Sequence, residues 1–366
     1  MPPLRTIAYF SAQAVAEGQD SWAAVMEIIW AMRRAEWTVE LYKPEYGQGS
    51  VPGIFERLRK IAGTQRDLAR RIREYDALYV RAHPLAWPLA AYAHRVGIPV
   101  IQESNGSWED AFIAWPSMRR IAPLVVAMQR SQYRIADAIV AVSVTLADWL
   151  CREAGRDDAI VSPNGANDEL FCPGGPRPME LPDRYVVFFG QFAPWQRLDV
   201  LIAAAEHPEW PKDVDLVIVG DGMLRPEVEA AAGRNPHVHY FGMLAYECVP
   251  SVVSGALAAA VLTYAPDRAG YSPLKLYEAM ACGVPIICSD TPGQAEYVRE
   301  EDAGIVVPPN DPVAVARAAA TLAERPEEAR AMGNRGMTAV EERYSWNARA
   351  RQRMETIEAA IEHPRD

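Results

Sequence analysis

Cysteine is scarce in this chain and poorly placed for cross-linking. The five residues, Cys151, Cys172, Cys248, Cys282 and Cys288, are odd in number and form no CxxC pair. Several sit inside apolar runs, so neither a disulfide framework nor a zinc site is indicated, and a reducing cytoplasm is the simplest compartment. No apolar run approaches the roughly 18 residues that a membrane-spanning helix needs, and no charge-flanked apolar leader is visible, which points to a soluble or peripheral protein. An excess of positive charge is missing too. Residues 1–160 carry 19 Lys+Arg against 18 Asp+Glu and the remainder 18 against 30, an asymmetry that argues against a nucleic-acid binder. Low-complexity tracts are absent.

What is present is alternation. A chain of 366 residues exceeds what one hydrophobic core usually serves, so two domains are expected. Short β-rich segments at Thr6–Phe10, Trp37–Tyr42, Ala77–Val80, Pro99–Gln102 and Ala138–Val142 are separated by amphipathic stretches such as Trp22–Arg34. This is the pattern of a parallel sheet with crossover helices. The proline- and glycine-rich run FCPGGPRPMELPDR, residues 171–184, breaks both periodicities and is read as a linker. After it the alternation restarts with YVVFFG, DLVIVG, HVHYFG, AAAVLTY, PIICS and GIVVP. The expected division is an N-terminal domain over 1–170, a second over 185–345 and a final helix over 346–366 that packs back on the first. Tyr344, Trp346 and Met354 give the tail its apolar face.

Open parallel sheets bind ligands beyond the carboxyl ends of their strands, where glycine turns lead into helix N-termini. Three such turns lie in the second half. In the first, Gly190-Gln191-Phe192-Ala193-Pro194-Trp195-Gln196-Arg197, Arg197 is the only cation and Trp195 a candidate wall for a ligand cleft. An ordinary surface loop explains the same residues. The second, Gly220-Asp221-Gly222, is weak evidence, because strand-to-helix turns often need glycine for geometry alone. The third runs from Gly270 to Pro285. Ser272 as N-cap, Pro273 in the first turn and Gly283 past the end bracket a short helix over Pro273–Ala281. The helix start, Ser272 to Lys275, would offer free amides and an ammonium to a phosphate, and Glu278, one turn on, a carboxylate to ribose hydroxyls. The competing reading is a solvated Lys-Glu pair.

The segment SPLKLYEAMACGVPIICSD resembles the donor-site helix of GT-B-fold glycosyltransferases of the GT4 type. Ser162-Pro163-Asn164-Gly165-Ala166-Asn167, with Phe171 and Pro173 beyond, is similar to that family's PNGxD...F.P segment. The resemblance covers nearly the whole chain. It implies an α/β GT-B fold, two Rossmann-like domains facing each other across a cleft, and retaining transfer from a nucleotide-sugar donor, UDP- or GDP-linked, without cofactor or metal. By position Glu278 matches the ribose-binding glutamate, and Leu274 and Lys275 match the diphosphate-binding amides. Met243 and Leu244 match the segment beside the base, Ser272 and Pro273 fall where the transferred sugar is held, and Tyr271 belongs with them to the donor site. This sequence departs from the family at Gly270, where the first glutamate of E-x7-E is expected, and at Gln191 and Gln196, where the loop usually carries Arg and Lys. Only Gly18 survives of the usual N-terminal glycine pair. Arg197 and Lys275 are then left to supply the positive charge.

In the first half, Arg81 and His83 end one strand and Glu103, Ser104 and Asn105 end the next, all at the carboxyl edge, where the family contacts its sugar or lipid-linked acceptor. His83, Glu103, Asn105 and Lys275 are the candidates for the chemistry, although a histidine bonded to a neighbouring carbonyl is an equal reading of His83. Between Trp108 and Arg134, Trp108, Phe112, Trp115, Met118, Leu124, Val125 and Val126 alternate with Arg119, Arg120 and Arg130. A second cationic run spans Arg57 to Arg73. Either can rest on an anionic membrane, and either can be a solvated helix over a core. Two other functions share the pattern: a nucleotide-sugar epimerase, which needs paired acid and base residues that are few here, and a binding scaffold that has lost the chemistry.

Overall fold

A computed structural model of the chain describes residues 4–13, 20–46, 53–109, 112, 116–174, 180–264 and 272–365. They form two compact α/β units. The first runs to Pro163 and takes in the chain again from Trp346; the second spans Asn164 to Ser345. The changeover therefore comes ahead of the proline-rich run, and Phe171, fully buried, belongs to the second unit's core.

The first unit has six parallel strands, β1 (Thr6–Ser11), β2 (Thr38–Tyr42), β3 (Ala77–Arg81), β4 (Val100–Ser104), β5 (Ala138–Ala141) and β6 (Ile160–Val161), in the order β2-β1-β3-β4-β5-β6. β1, β3, β4 and β5 are buried almost throughout, as helices on both faces require of parallel strands. Register sets Ser11 beside Arg81 and Arg81 beside Glu103, aligning the carboxyl ends. Local chemistry fixes the helix ends: the Ser143 hydroxyl accepts from the Leu146 amide at 3.3 Å to open Val144–Ala154, and Gly155, with φ at 67°, closes it. The final helix, Trp346–Glu362, lies against β4, β5 and the helix Asp20–Arg34. An Arg5–Glu358 ion pair of 2.6 Å and a bond of 2.9 Å from Gln352 to the Val161 carbonyl tie it down.

The second unit has β7 (Tyr185–Phe192), β8 (Asp215–Gly222), β9 (Val238–Tyr240), β10 (Ala258–Val261), β11 (Ile286–Ser289) and β12 (Gly304–Val307), all parallel in the order β12-β11-β10-β7-β8-β9. This is the doubly wound order whose direction reverses between β7 and β10, and the crevice at such a reversal is where open sheets hold ligands. β8 can follow β7 to its very end because Gly220 and Gly222 have no side chain. A Cβ at Gly220 would stand 1.9 Å from the Gly190 carbonyl oxygen, and one at Gly222 2.8 Å from the Phe192 backbone. Close strand packing thus accounts for this glycine pair.

Candidate functional site

The third glycine turn builds the densest site. Its helix covers Leu274–Ala281, with Pro273 at the N-cap position. Ser272 does not cap it. The hydroxyl accepts from the Asn164 amide at 3.0 Å and meets the Tyr277 hydroxyl at 3.3 Å, while the Asn164 side chain donates to the Ser272 carbonyl at 2.7 Å. Asn164 thereby staples the start of the helix, which leaves the serine committed before it can reach the helix amides.

Lys275 and Glu278 are 7% and 6% exposed, so the solvated-pair reading fails. The Lys275 ammonium lies 3.8 Å from the centre of the Phe188 ring and donates to Gln196 Oε1 at 3.0 Å. Glu278 accepts from the Tyr246 hydroxyl at 2.9 Å, and Tyr246 packs on Phe171, ring centres 5.3 Å apart. Burial of this kind is unfavourable for charges unless partners or a ligand repay it. Leu274 is half-buried, and Leu244 packs on the core while Met243 stands 74% exposed. Gln191 is exposed at the end of β7.

Arg197 does not join Lys275. It adopts a left-handed backbone, φ 49°, and its guanidinium grips Asp199 through two bonds of 2.9 and 2.7 Å, reaches Asn310 and lies over the Tyr264 ring. The Asp199 side chain also holds the Arg197 pKa above its usual value, so this cation is spent locally. Trp195, 37% exposed, faces the same side. Gly18, Gly270 and Tyr271 lie outside the described residues.

In the first unit the strand ends form a buried ionic cluster. Glu103 accepts from Tyr79 (2.7 Å), Asn105 (2.7 Å) and Arg81 (3.2 Å), and Arg353, from the final helix, sits 3.5 Å from its other side. Burial alone would raise the Glu103 pKa, but Arg353, Arg81 and the hydrogen bonds outweigh it and hold it low. Burial pushes the Tyr79 phenol well up, so it stays a donor. A carboxylate so engaged anchors the strand ends and is a poor base, and Asn105 is one of the groups holding it.

His83 caps the turn Pro84–Ala86: its Nδ1 accepts from the Leu85 amide at 3.2 Å, which places the ring proton on Nε2. Burial, then Arg57, lowers its pKa to about 4. The folded value lies below the unfolded one near 6.5, so the neutral ring stabilises fully above pH ~6.5, and that contribution fades as pH falls toward 4, by about 2 to 3 kcal/mol allowing for its partly wet edge. His83→Asn, which keeps a capping oxygen, is expected to flatten Tm between those pH values; an unchanged slope would refute the assignment.

The stretch around Trp108 is largely turned inward. Trp108, Phe112 and Val125 are buried, with Trp108 against Trp149 at 4.3 Å, whereas Ile121 and Leu124 are exposed beside Arg119 and Arg120. Trp115 lies outside the described residues. On the helix Ile54–Arg71, Ile54 and Phe55 are exposed next to Arg57. No helix among the described residues is long and apolar enough to cross a membrane, and none of their His, Cys, Asp and Glu side chains group as a metal site.

Tyr246 and Arg353 escaped the sequence reading. Arg353 had a signal: it shares the 3.6-residue stripe of Trp346, Ala350, Ile357 and Ala360, a charge on an otherwise apolar face.

Residues 24–170 match the family model described as Glycosyltransferase Family 4, and residues 183–325 that of Glycosyl transferases group 1. D-inositol 3-phosphate glycosyltransferase of Salinispora tropica is 31% identical over 258 residues, covering 62% of this chain and 52% of the relative. Phosphatidyl-myo-inositol mannosyltransferase of Mycobacterium leprae is 30% identical, over 60% and 58%. The chain thus spans about half the length of these curated relatives. Among solved structures, Anabaena HepE in complex with UDP superposes with a TM-score of 0.74 at 17% identity over 97% of this chain and 100% of that one. Sucrose-phosphate synthase from Thermosynechococcus elongatus gives 0.75 at 20% identity over 98% and 99%. At such identities the likeness speaks for the fold.

Proposed function

We propose that this chain, which belongs to the GT4-type glycosyltransferases of GT-B fold, moves a sugar from a nucleotide diphosphate to a glycan, glycolipid or small-molecule acceptor. The observation that carries this is the buried Lys275 and Glu278 on one helix beside the reversal point of the second sheet. A diphosphate against the helix start meets amides and an ammonium, and Glu278 receives the ribose hydroxyls. Lys275 stands beside Gln196, the position where the family usually carries its own lysine, so the cation reaches the same place from the helix. The acceptor docks on the first unit, at the strand ends gathered by Glu103.

The transfer proceeds with retention and without metal. The bond from the sugar's anomeric carbon to the diphosphate oxygen breaks, the acceptor oxygen bonds to that carbon on the same face, and the acceptor's proton passes to the departing diphosphate. The protein positions the partners and screens the developing charge. The donor in this reading is UDP- or GDP-linked; Anabaena HepE, which shares the fold, binds UDP.

A thermal-shift panel of UDP, GDP, ADP and dTDP with their sugars tests the reading, since a ligand of the folded state raises the midpoint by mass action. One nucleotide is expected to shift it, and turnover should survive a chelator. No shift with any overturns the reading, and binding without transfer moves it to a scaffold.

Peripheral docking of the first unit at the inner membrane face is part of the proposal, through exposed Ile121 and Leu124 beside Arg119 and Arg120. The protein should then sediment with anionic liposomes at low salt and be released by high salt; no sedimentation removes the membrane from the account.

A further inference from the structure

We propose that the groove on the outer side of the Pro194–Gln196 turn is a second carbohydrate subsite, taking a neutral sugar residue of the acceptor or product glycan; this rests on the sugar-transfer reading. The groove measures about 540 Å³ and is lined by Pro194, Trp195, Arg197, Asp199, Leu224 and Tyr264, within the roughly 300–1,000 Å³ of small-molecule sites. Its walls come from the loops after β7, β8 and β10, the ligand-binding edge of the sheet.

One turn serves two sides. Gln196 points inward to Lys275, while its neighbours Trp195 and Arg197 face the groove. The charges of the described lining residues do not favour a second phosphate there. Arg197 is held by Asp199, Asn310 and the Tyr264 ring, and among the described lining residues this one cation is matched by one anion, Asp199. What is left is two partly exposed aromatic faces, Trp195 at 37% and Tyr264 at 42%, beside a rigid, ionised carboxylate whose pKa is pulled down by Arg197. Aromatic faces suit the C–H side of a pyranose, and a fixed Arg–Asp pair both donates to and accepts from its hydroxyls. The wall is also pre-set: Thr263 and the Tyr264 amide donate to the Trp195 carbonyl at 2.9 and 3.1 Å, joining the two loops that carry the rings.

The test uses the full chain and saturation-transfer NMR with maltotriose, cellotriose and mannotriose at millimolar concentration, and a phosphorylated trisaccharide as the anionic control. At least one neutral trisaccharide is expected to bind saturably. Tyr264→Ala should weaken it about tenfold and Tyr264→Phe leave it intact. Asp199→Ala, which unmasks Arg197, should shift preference to the phosphorylated probe. Failure of all three neutral sugars to bind, binding of the anionic one alone, or equal binding by Tyr264→Ala overturns the subsite. The nucleotide panel is read in parallel: a nucleotide shift with no trisaccharide binding removes only the groove, and the reverse removes only the donor assignment.

Discussion

Glu278→Ala is expected to lower kcat/KM by about 100-fold or more and to erase the nucleotide-induced thermal shift. A carboxylate taking two ribose hydroxyls contributes roughly 1.5 kcal/mol or more for each charged hydrogen bond, and about 3 kcal/mol corresponds to a hundredfold. Glu278→Gln keeps the acceptor oxygen but loses the charge, so it should fall between, near tenfold. The free protein feels the change less. Tyr246 loses one partner, which costs about 1 kcal/mol, so both variants should fold and the defect should be read in binding. Unchanged turnover in Glu278→Ala would remove the ribose role.

The largest effect on stability is expected at Glu103. Glu103→Gln leaves Arg81 and the fully buried Arg353 as two cations with no anion between them, a situation that costs about 3 to 5 kcal/mol. Arg353→Met alone should cost much less, for three partners still hold Glu103 at 3.2 Å or closer, whereas Arg353 is 3.5 Å away and its Nε and Nη2 reach no acceptor among the described residues. In the Glu103→Gln background, Arg353→Met should recover more than half of the loss. The Glu103 pKa is lower folded than unfolded, so its contribution is complete above pH ~4.3 and lost as pH falls through the folded value; the penalty of Glu103→Gln should shrink there. Urea midpoints of the four proteins decide it. Additive effects would mean that the two residues do not share one cluster.

Much of this was legible beforehand because it follows from periodicity. Parallel strands buried on both faces read as unbroken apolar runs, and helix brackets such as Pro273 and Gly283 are local. What escaped is side-chain commitment across distance. Ser272 beside a helix start looks like a cap until Asn164, 108 residues earlier, takes its hydroxyl. Arg197 looks like a phosphate ligand until Asp199, two residues on, proves the nearer partner. Gln196, where a cation is usual for the family, reads as a loss until Lys275 is found bonded to it. Arg353 is the same lesson from the far end of the chain, since nothing near it in sequence explains a charge on that stripe.

The return of the last helix also bears on how the chain is made. Synthesis delivers β1 to β6 before the second unit, yet the face of that sheet under Glu103 is closed by residues beginning at Trp346, which are made after the second unit. Domains usually fold in the order in which they emerge. Here the second unit has its whole sequence, Asn164 to Ser345, before the first has its own, so the half that is translated first is the half that is completed last.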